Sequence, residues 1–273
     1  MKKWLIFTDL DGTLLDHRDY NYAEALPALE KITALQIPLI INSSKTSAEI
    51  EAIKARLHNN GAFAVENGAA VFIPAELNSE SDGAINRVIL GRPISDILSL
   101  THAIRNRYGF SFRGFSDFSV DEVMRETGLT EKEARQAKQR LASEPLKWYD
   151  SEEKRLLFEH LLKEQGLQLV KGGRFWHVMG QNDKGKAMAW LLNKYQQQQT
   201  QKIMTIALGD SQNDLPMLEQ ADYAAVIQRT DGSYLTVNKK ADRLVRSRHP
   251  APLGWREAIE QLFKKLKLGE MNE

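Results

Sequence analysis

Four aspartates stand out by type and spacing. Asp9 and Asp11 lie two residues apart after an apolar run from Trp4 to Thr8, and Asp210 and Asp214 follow a second apolar run from Ile203 to Leu208. In an extended segment, residues two apart project to the same side, so Asp9 and Asp11 can share one site. If the two runs are strands of one sheet, the four acids crowd together, and such a cluster repels itself unless protons or a cation neutralise it. All-oxygen ligation favours a hard divalent ion, magnesium ahead of zinc, and magnesium keeps waters and commonly binds together with a substrate phosphate. With the ion in place, a phosphate dianion can approach four acids.

A third apolar run, Pro38 to Asn42, leads into Ser43-Ser44-Lys45-Thr46. Each of these features has a bland reading. Asp11-Gly12 alone is usually a turn, Asp214 ahead of Leu215-Pro216 can cap a helix, and Ser43, Ser44 and Thr46 can be caps as well. Their shared position weighs against those readings. Each follows an apolar strand, and in open α/β sheets ligands gather at the carboxyl ends of strands.

The elements that must bring these tips together are legible along the chain. Strands at 4–8, 38–42, 63–65 and 70–73 alternate with helices over 21–35 and from Thr46, where Thr46 and Glu49 have capping-box spacing. The alternation resumes with a helix over 186–195, a strand over 203–208, a helix over 216–220 and strands near 223–227 and 243–245. This is the pattern of an α/β, Rossmann-like doubly wound sheet. Between about 84 and 182 the texture changes to long charged helical stretches, with capping-box pairs Ser119/Glu122 and Thr130/Glu133, a helix over 152–165 closed by Gly166, and strands at 87–90, 167–171 and 175–179. The expected organisation is a core of residues 1–83 and 183–273 with an inserted α+β module at 84–182.

Composition narrows the function classes. The 273-residue chain carries 37 basic and 36 acidic side chains, a formal net charge of +1, which argues against a broad nucleic-acid or membrane-surface footprint. It has no cysteine, so disulfides, thiolate nucleophiles and cysteine-bound zinc are excluded. The first apolar run is too short for a signal peptide, and no run approaches the ~20 apolar residues of a membrane span, so a soluble cytoplasmic protein is expected. Oligomeric state is not legible.

The motifs together resemble the haloacid dehalogenase (HAD) superfamily. Asp9-Leu10-Asp11-Gly12-Thr13 after a strand is similar to its first motif, Ser43 fits the hydroxyl of the second, Lys184 in Asp183-Lys184-Gly185-Lys186 fits the third, and Gly209-Asp210-Ser211-Gln212-Asn213-Asp214 fits the acidic fourth. The resemblance implies that Asp9 is the nucleophile that forms an aspartyl-phosphate and that Asp11 protonates the leaving alcohol and then activates water. It also implies that Ser43 and Lys184 cradle the phosphoryl oxygens. Magnesium (Mg2+) would be held by Asp9, Asp11 through its main-chain carbonyl, Asp210 and Asp214, the last directly or through water.

An insert between the second and third motifs resembles the capped, Cof-like sugar-phosphatase branch, in which a lid excludes bulk water and large substrates. Within that branch the chain is most similar to the mannosyl-3-phosphoglycerate phosphatase family, in Asn42 to Thr46, Phe115 to Ser119, Glu122 to Gly128, Ala134 to Arg140 and Gly172 to His177. The resemblance implies a small phosphorylated sugar–glycerate substrate, with Lys45, Glu66, Asn67, Arg174 and His177 as candidate contacts. Phe175 and Trp176 are at least as well read as core of the insert. Rival readings are a sucrose-phosphate or hexose-phosphate phosphatase, a phosphomutase and a non-catalytic sugar-phosphate sensor.

Overall fold

The structure is a computed structural model that describes residues 3–77, 86–172 and 174–269. Its strands are β1 (Lys3–Thr8), β2 (Leu39–Asn42), β3 (Phe63–Val65), β4 (Ala70–Ile73), β5 (Asn86–Ile89), β6 (Phe112–Gly114), β7 (Ser143–Trp148), β8 (Gln168–Lys171), β9 (Trp176–Met179), β10 (Ile203–Gly209), β11 (Tyr223–Val226) and β12 (Leu244–Arg246). Its helices are α1 (Leu26–Ala34), α2 (Ser47–Arg56), α3 (Ile94–Tyr108), α4 (Val120–Thr127), α5 (Glu131–Ala137), α6 (Glu152–Glu164), α7 (Lys184–Gln197), α8 (Leu215–Gln220) and α9 (Leu253–Leu266).

Eight strands form one sheet in the order β12-β11-β10-β1-β2-β3-β4-β5. From β12 to β3 they are parallel, with Phe7 paired to Ala207 of β10 and to Ile40 of β2. This register sets the tips of β1, β2 and β10 side by side. Alternate residues of each central strand feed opposite layers, as a sheet covered on both faces requires. Ile6, Ile41 and Val65 pack with Ala28 and Ile32 of α1, Ile50 of α2 and Trp255, Ile259 and Leu262 of α9. Phe7, Ile40 and Ala64 pack on the other side with Ala187, Met188 and Leu191 of α7 and with Met217 and Leu218 of α8.

The other four strands, which fall between β5 and β10 in the chain, form an antiparallel sheet ordered β6-β7-β9-β8. Leu146, Leu169 and Val178 bury one face of it against Ile97 of α3 and Phe158 and Leu162 of α6. A separate cluster of Phe115, Phe118, Val123, Ala134, Ala137 and Phe175 ties α4 and α5 to the sheet's edge. The three capping boxes read from the sequence are all present with both reciprocal bonds, at Thr46/Glu49, Ser119/Glu122 and Thr130/Glu133.

Two expectations are corrected. The strand read at 87–90 belongs to the large sheet, because β5 pairs antiparallel with β4 and extends its edge; the 83/84 boundary itself lies outside the described residues. The helix read from 21 begins at Leu26, behind a short 3-10 turn over Ala23–Ala25, where Pro27 fits the first helical turn.

Candidate active site

β1 delivers Asp9 to the centre of the large sheet. The backbone N–H of Asp9 donates to the Leu208 carbonyl at 3.1 Å, so the chain is still tied to β10 as it leaves the strand. Behind it, the Trp255 indole N–H of α9 donates to Thr8 Oγ1 at 3.0 Å, and that hydroxyl donates to the Asp9 carbonyl at 2.7 Å. The chain then turns at Gly12, whose φ of +78° suits a residue without Cβ, and a Cβ there would lie 3.0 Å from Asp210 Oδ2. Glycine therefore lets the tips of β1 and β10 close on each other. Thr13 Oγ1 completes the seam by donating to Asp210 Oδ1 at 2.9 Å.

Lys184, at the first turn of α7, is fully buried between two of these acids. Its Nζ lies 2.6 Å from Asp9 Oδ1 and 2.6 Å from Asp214 Oδ1. Asn42 Nδ2 donates to the Lys184 carbonyl at 2.8 Å, and Asp183 caps the helix through the Lys186 N–H at 2.8 Å, so the ammonium is aimed by both its neighbours. Burial works against the charge on Lys184, but the two facing carboxylates outweigh it and hold its pKa above the usual lysine value. Asp214 also braces the loop that follows β10. Its Oδ1 meets Lys184, while Oδ2 accepts from the Asp210 N–H at 3.1 Å and from Ser211 N–H and Oγ at 3.0 Å each.

Carboxylate oxygens of Asp9, Asp210 and Asp214 lie within 4.8 Å of one another. Burial raises the Asp9 pKa well above the ordinary value; Lys184 opposes the shift, and Asp214, Asp210 and Asp11 add to it. Asp210 is pushed up to about 6, by burial first and by Asp214 second. One ammonium thus leaves the negative charge of the cluster only partly offset. Three hard oxygens at this spacing, in a pocket that penalises their ionisation, fit a small divalent cation.

Ser43 follows β2, buried, with its N–H bonded to the Ala64 carbonyl at 3.1 Å and its Oγ accepting from the Lys45 N–H at 3.3 Å. Lys45 crosses to Asp11, with Nζ 2.9 Å from Oδ2, and sits 4.5 Å from the centroid of the Tyr20 ring. Burial pulls the Lys45 pKa down, yet Asp11 and Glu49 leave it above its usual value. The Asp11 side chain thus stands outside the three-acid group, and its Oδ1 is buried without a hydrogen-bond partner among the described residues. Beside Lys45 a cleft of about 210 Å³ opens between α2 and α5, lined by Tyr20, Glu49, Arg56, Glu133 and Gln136 among others.

Three sequence candidates for substrate contact have other employment. Glu66 is fully buried, and its carboxylate accepts from the Leu141 N–H at 2.7 Å, the Ala142 N–H at 3.1 Å and Ser143 Oγ at 2.7 Å, so it fastens the entry to β7 onto the large-sheet unit. Asn67 accepts from Asn213 Nδ2 at 2.9 Å on Oδ1, and from Asn182 Nδ2 at 3.2 Å on its carbonyl. Both residues adopt left-handed backbone, with φ of 52° and 58°. Arg174 points to the end of α4, donating to the Glu126 and Thr127 carbonyls at 3.3 and 2.7 Å. His177 lies on β9, near Arg140. Burial, with the Arg140 charge beside it, lowers its pKa to about 3, so the ring is neutral. Phe175 and Trp176 pack into the two apolar clusters of the small-sheet unit.

Sequence reasoning gave no role to Asn42, which holds the Lys184 carbonyl, or to Arg140. Arg140, just ahead of β7, donates from Nη1 to the Ser44 carbonyl at 3.2 Å.

Comparison with known proteins gives a consistent picture. The model of the haloacid dehalogenase-like hydrolase family matches residues 6–241. A glucosyl-3-phosphoglycerate/mannosyl-3-phosphoglycerate phosphatase of Methanococcoides burtonii is 40% identical, over 96% of this chain and 98% of its own. A protein of the same description from Persephonella marina is 35% identical, over 97% and 99%. Among solved structures, a haloacid dehalogenase-like hydrolase from Bacteroides thetaiotaomicron superposes with a TM-score of 0.68 at 20% identity, covering 96% of this chain and all of its own (100%). A second protein of that organism, described among phosphatases of the HAD enzyme superfamily, gives 0.67 at 16% identity, over 95% of each chain.

Proposed function

The chain belongs to the haloacid dehalogenase-like hydrolases, and on that premise we propose that it removes the phosphate of a glycosyl-3-phosphoglycerate, mannosyl or glucosyl, through an aspartyl-phosphate on Asp9. It is a phosphoric monoester hydrolase; the sugar–glycerate substrate is carried over from the two relatives whose names state it. The observation that carries the catalytic reading is the Lys184 ammonium, fully buried and 2.6 Å from both Asp9 and Asp214 at the meeting of three strand tips.

The proposed steps join that geometry to the chemistry of the family. An Asp9 carboxylate oxygen attacks phosphorus while the bond from phosphorus to the glycerate oxygen breaks, and Asp11 gives its proton to the departing oxygen. Asp11 then takes a proton from water, whose oxygen attacks phosphorus and breaks the bond to Asp9, releasing phosphate and restoring the carboxylate. Lys45 orients Asp11 through its Oδ2 and leaves Oδ1 for proton transfer. Lys184 and the Ser43 hydroxyl hold phosphoryl oxygens, fixed before the substrate arrives. Asp9 and Asp210 would hold magnesium, with Asp214 behind them and Asp11 contributing a main-chain oxygen; the bound ion supplies positive charge against the phosphoryl oxygens. The small-sheet unit, which we take to run from about 91 to 182 once β5 is returned to the large sheet, acts as a cap that closes the site and sorts substrates.

The test is phosphate release from mannosyl- and glucosyl-3-phosphoglycerate, sucrose 6-phosphate and hexose phosphates, with and without magnesium. The glycosyl-3-phosphoglycerates should give the highest kcat/KM, and Asp9→Asn should abolish release. A hexose phosphate as the best substrate would overturn the substrate assignment. Isomerised phosphosugar without free phosphate would indicate a mutase, and unchanged turnover in Asp9→Asn would remove the nucleophile.

A further inference from the structure

Arg140 is placed with unusual care for a residue between a short helix and a strand. Immediately after it, the backbone N–H groups of Leu141 and Ala142 are held by Glu66, and four residues before it the Gln136 carbonyl accepts from Thr46 Oγ1 at 3.0 Å. Its guanidinium reaches out of the cap to the Ser44 carbonyl, one residue from Ser43. Among the described residues it makes no ion pair, and its Nε is buried with no hydrogen-bond partner. The nearby Glu144 carboxylate is already committed to Ser116, accepting from its N–H at 2.8 Å and its hydroxyl at 2.6 Å.

His177 repeats the pattern. It faces out of the small sheet from β9, opposite Pro145 of β7, and its Nδ1 is likewise buried and unpartnered. Its Nε2 edge packs where only glycine fits, since a Cβ on Gly172 would lie 2.7 Å from it. Two neighbouring side chains, one a permanent cation that reaches the catalytic unit and one a neutral ring beside it, thus each keep a buried polar atom unused among the described residues. A planar fork of N–H donors matches a planar carboxylate.

We propose that Arg140, supported by His177, is the receptor for the carboxylate of the substrate's acid half, the group that separates a phosphorylated glycoside of glyceric acid from an ordinary sugar phosphate. This rests on the proposed function and names the residue that gives it its specificity. With the phosphate on Ser43 and Lys184, the short three-carbon acid lies across the Ser43–Ser44 segment, and its far end meets Arg140. Lys45, paired with Asp11, is left to the chemistry. Arg174 takes no part.

The experiment compares the full-length wild type with Arg140→Met and Arg140→Lys on two substrates: 2-O-mannosyl-3-phosphoglycerate and the analogue whose carboxyl is reduced to an alcohol, 2-O-mannosylglycerol 3-phosphate. Arg140→Met should lower kcat/KM for the acid substrate by about 30- to 100-fold, the range of a lost charge-assisted bond, chiefly through KM. The reduced analogue should change less than about threefold on the same grounds, and its turnover shows that the variant is folded. Arg140→Lys should fall between, keeping the charge and losing the fork. Equal losses on both substrates would assign Arg140 to the phosphate or to the fold and overturn the proposal, as would an acid preference that survives in Arg140→Met. A wild type that shows no preference for the acid substrate would instead bring down the function reading, and this inference with it.

Discussion

Substituting Glu66 by glutamine separates a structural fastener from a substrate contact. The carboxylate is fully buried and takes three donors from the start of β7, two on Oε2 and one on Oε1. In Glu66→Gln, if the amide oxygen keeps the Ala142 N–H and Ser143 Oγ, the amide nitrogen faces the Leu141 N–H, donor against donor. One backbone N–H is then buried without an acceptor, at a cost of about 1–3 kcal/mol, and the two surviving bonds lose charge assistance, about 1 kcal/mol each. The sum is about 3–5 kcal/mol, and for a chain this size that lowers the unfolding midpoint by about 6–20 °C. The assay is thermal unfolding of wild type and Glu66→Gln, beside kcat/KM on the preferred substrate. Activity should fall less than stability suggests below the transition, with KM rising because Arg140 sits next to the loosened backbone. A midpoint within 2 °C of wild type together with lost turnover would refute the argument and return Glu66 to the list of substrate contacts.

Asp210→Ala should weaken magnesium activation at least tenfold, because it removes one of three clustered carboxylate oxygens; a magnesium titration of phosphate release that overlays wild type would contradict this. His177 has a folded-state pKa near 3 against an ordinary 6.5, so the unfolded chain binds its proton first as the solution is acidified. The stability this neutral ring confers is therefore complete above pH 6.5 and is lost as pH falls from there toward 3, by up to about 2 kcal/mol at pH 5. Denaturant unfolding at pH 7.5 and 5 should show a smaller difference in His177→Gln than in wild type, and equal differences would dismiss the neutral ring. A Cβ on Gly68 would lie 2.3 Å from the Asp183 carbonyl, and its φ is +80°, so Gly68→Ala should cost more than about 2 kcal/mol in unfolding free energy; a neutral result would mean that α7 can shift without disturbing Lys184.

The legible parts of the protein share one property: their signals are local. Each acid of the site follows an apolar run, and the geometry of parallel strands predicts that the three tips adjoin. Each capping box is a pair three residues apart, and helix formation needs nothing further at that point. What escaped the sequence depends on distant partners. β5 reads as part of the insert because nothing in Asn86–Ile89 names β4 as its neighbour. β7 was not recognised, since Pro145 interrupts a central strand and gives up an N–H, while its carbonyl accepts from Phe115 instead. Glu66 beside Asn67-Gly68 suggests a polar turn near the site. Its carboxylate, however, serves a backbone some seventy-five residues on. Arg140 is surrounded by Lys138 and Gln139 and looks solvated. The available hint was its place directly ahead of Leu141-Ala142, where a polar stretch turns inward.

The bond from Trp255 to Thr8 joins residues 247 positions apart. During synthesis the strand that leads to Asp9 emerges long before the indole that steadies it. A nascent chain held on the ribosome before α9 is clear therefore has the proposed nucleophile without this brace. Phosphatase activity should arrive only once α9 has packed against β1.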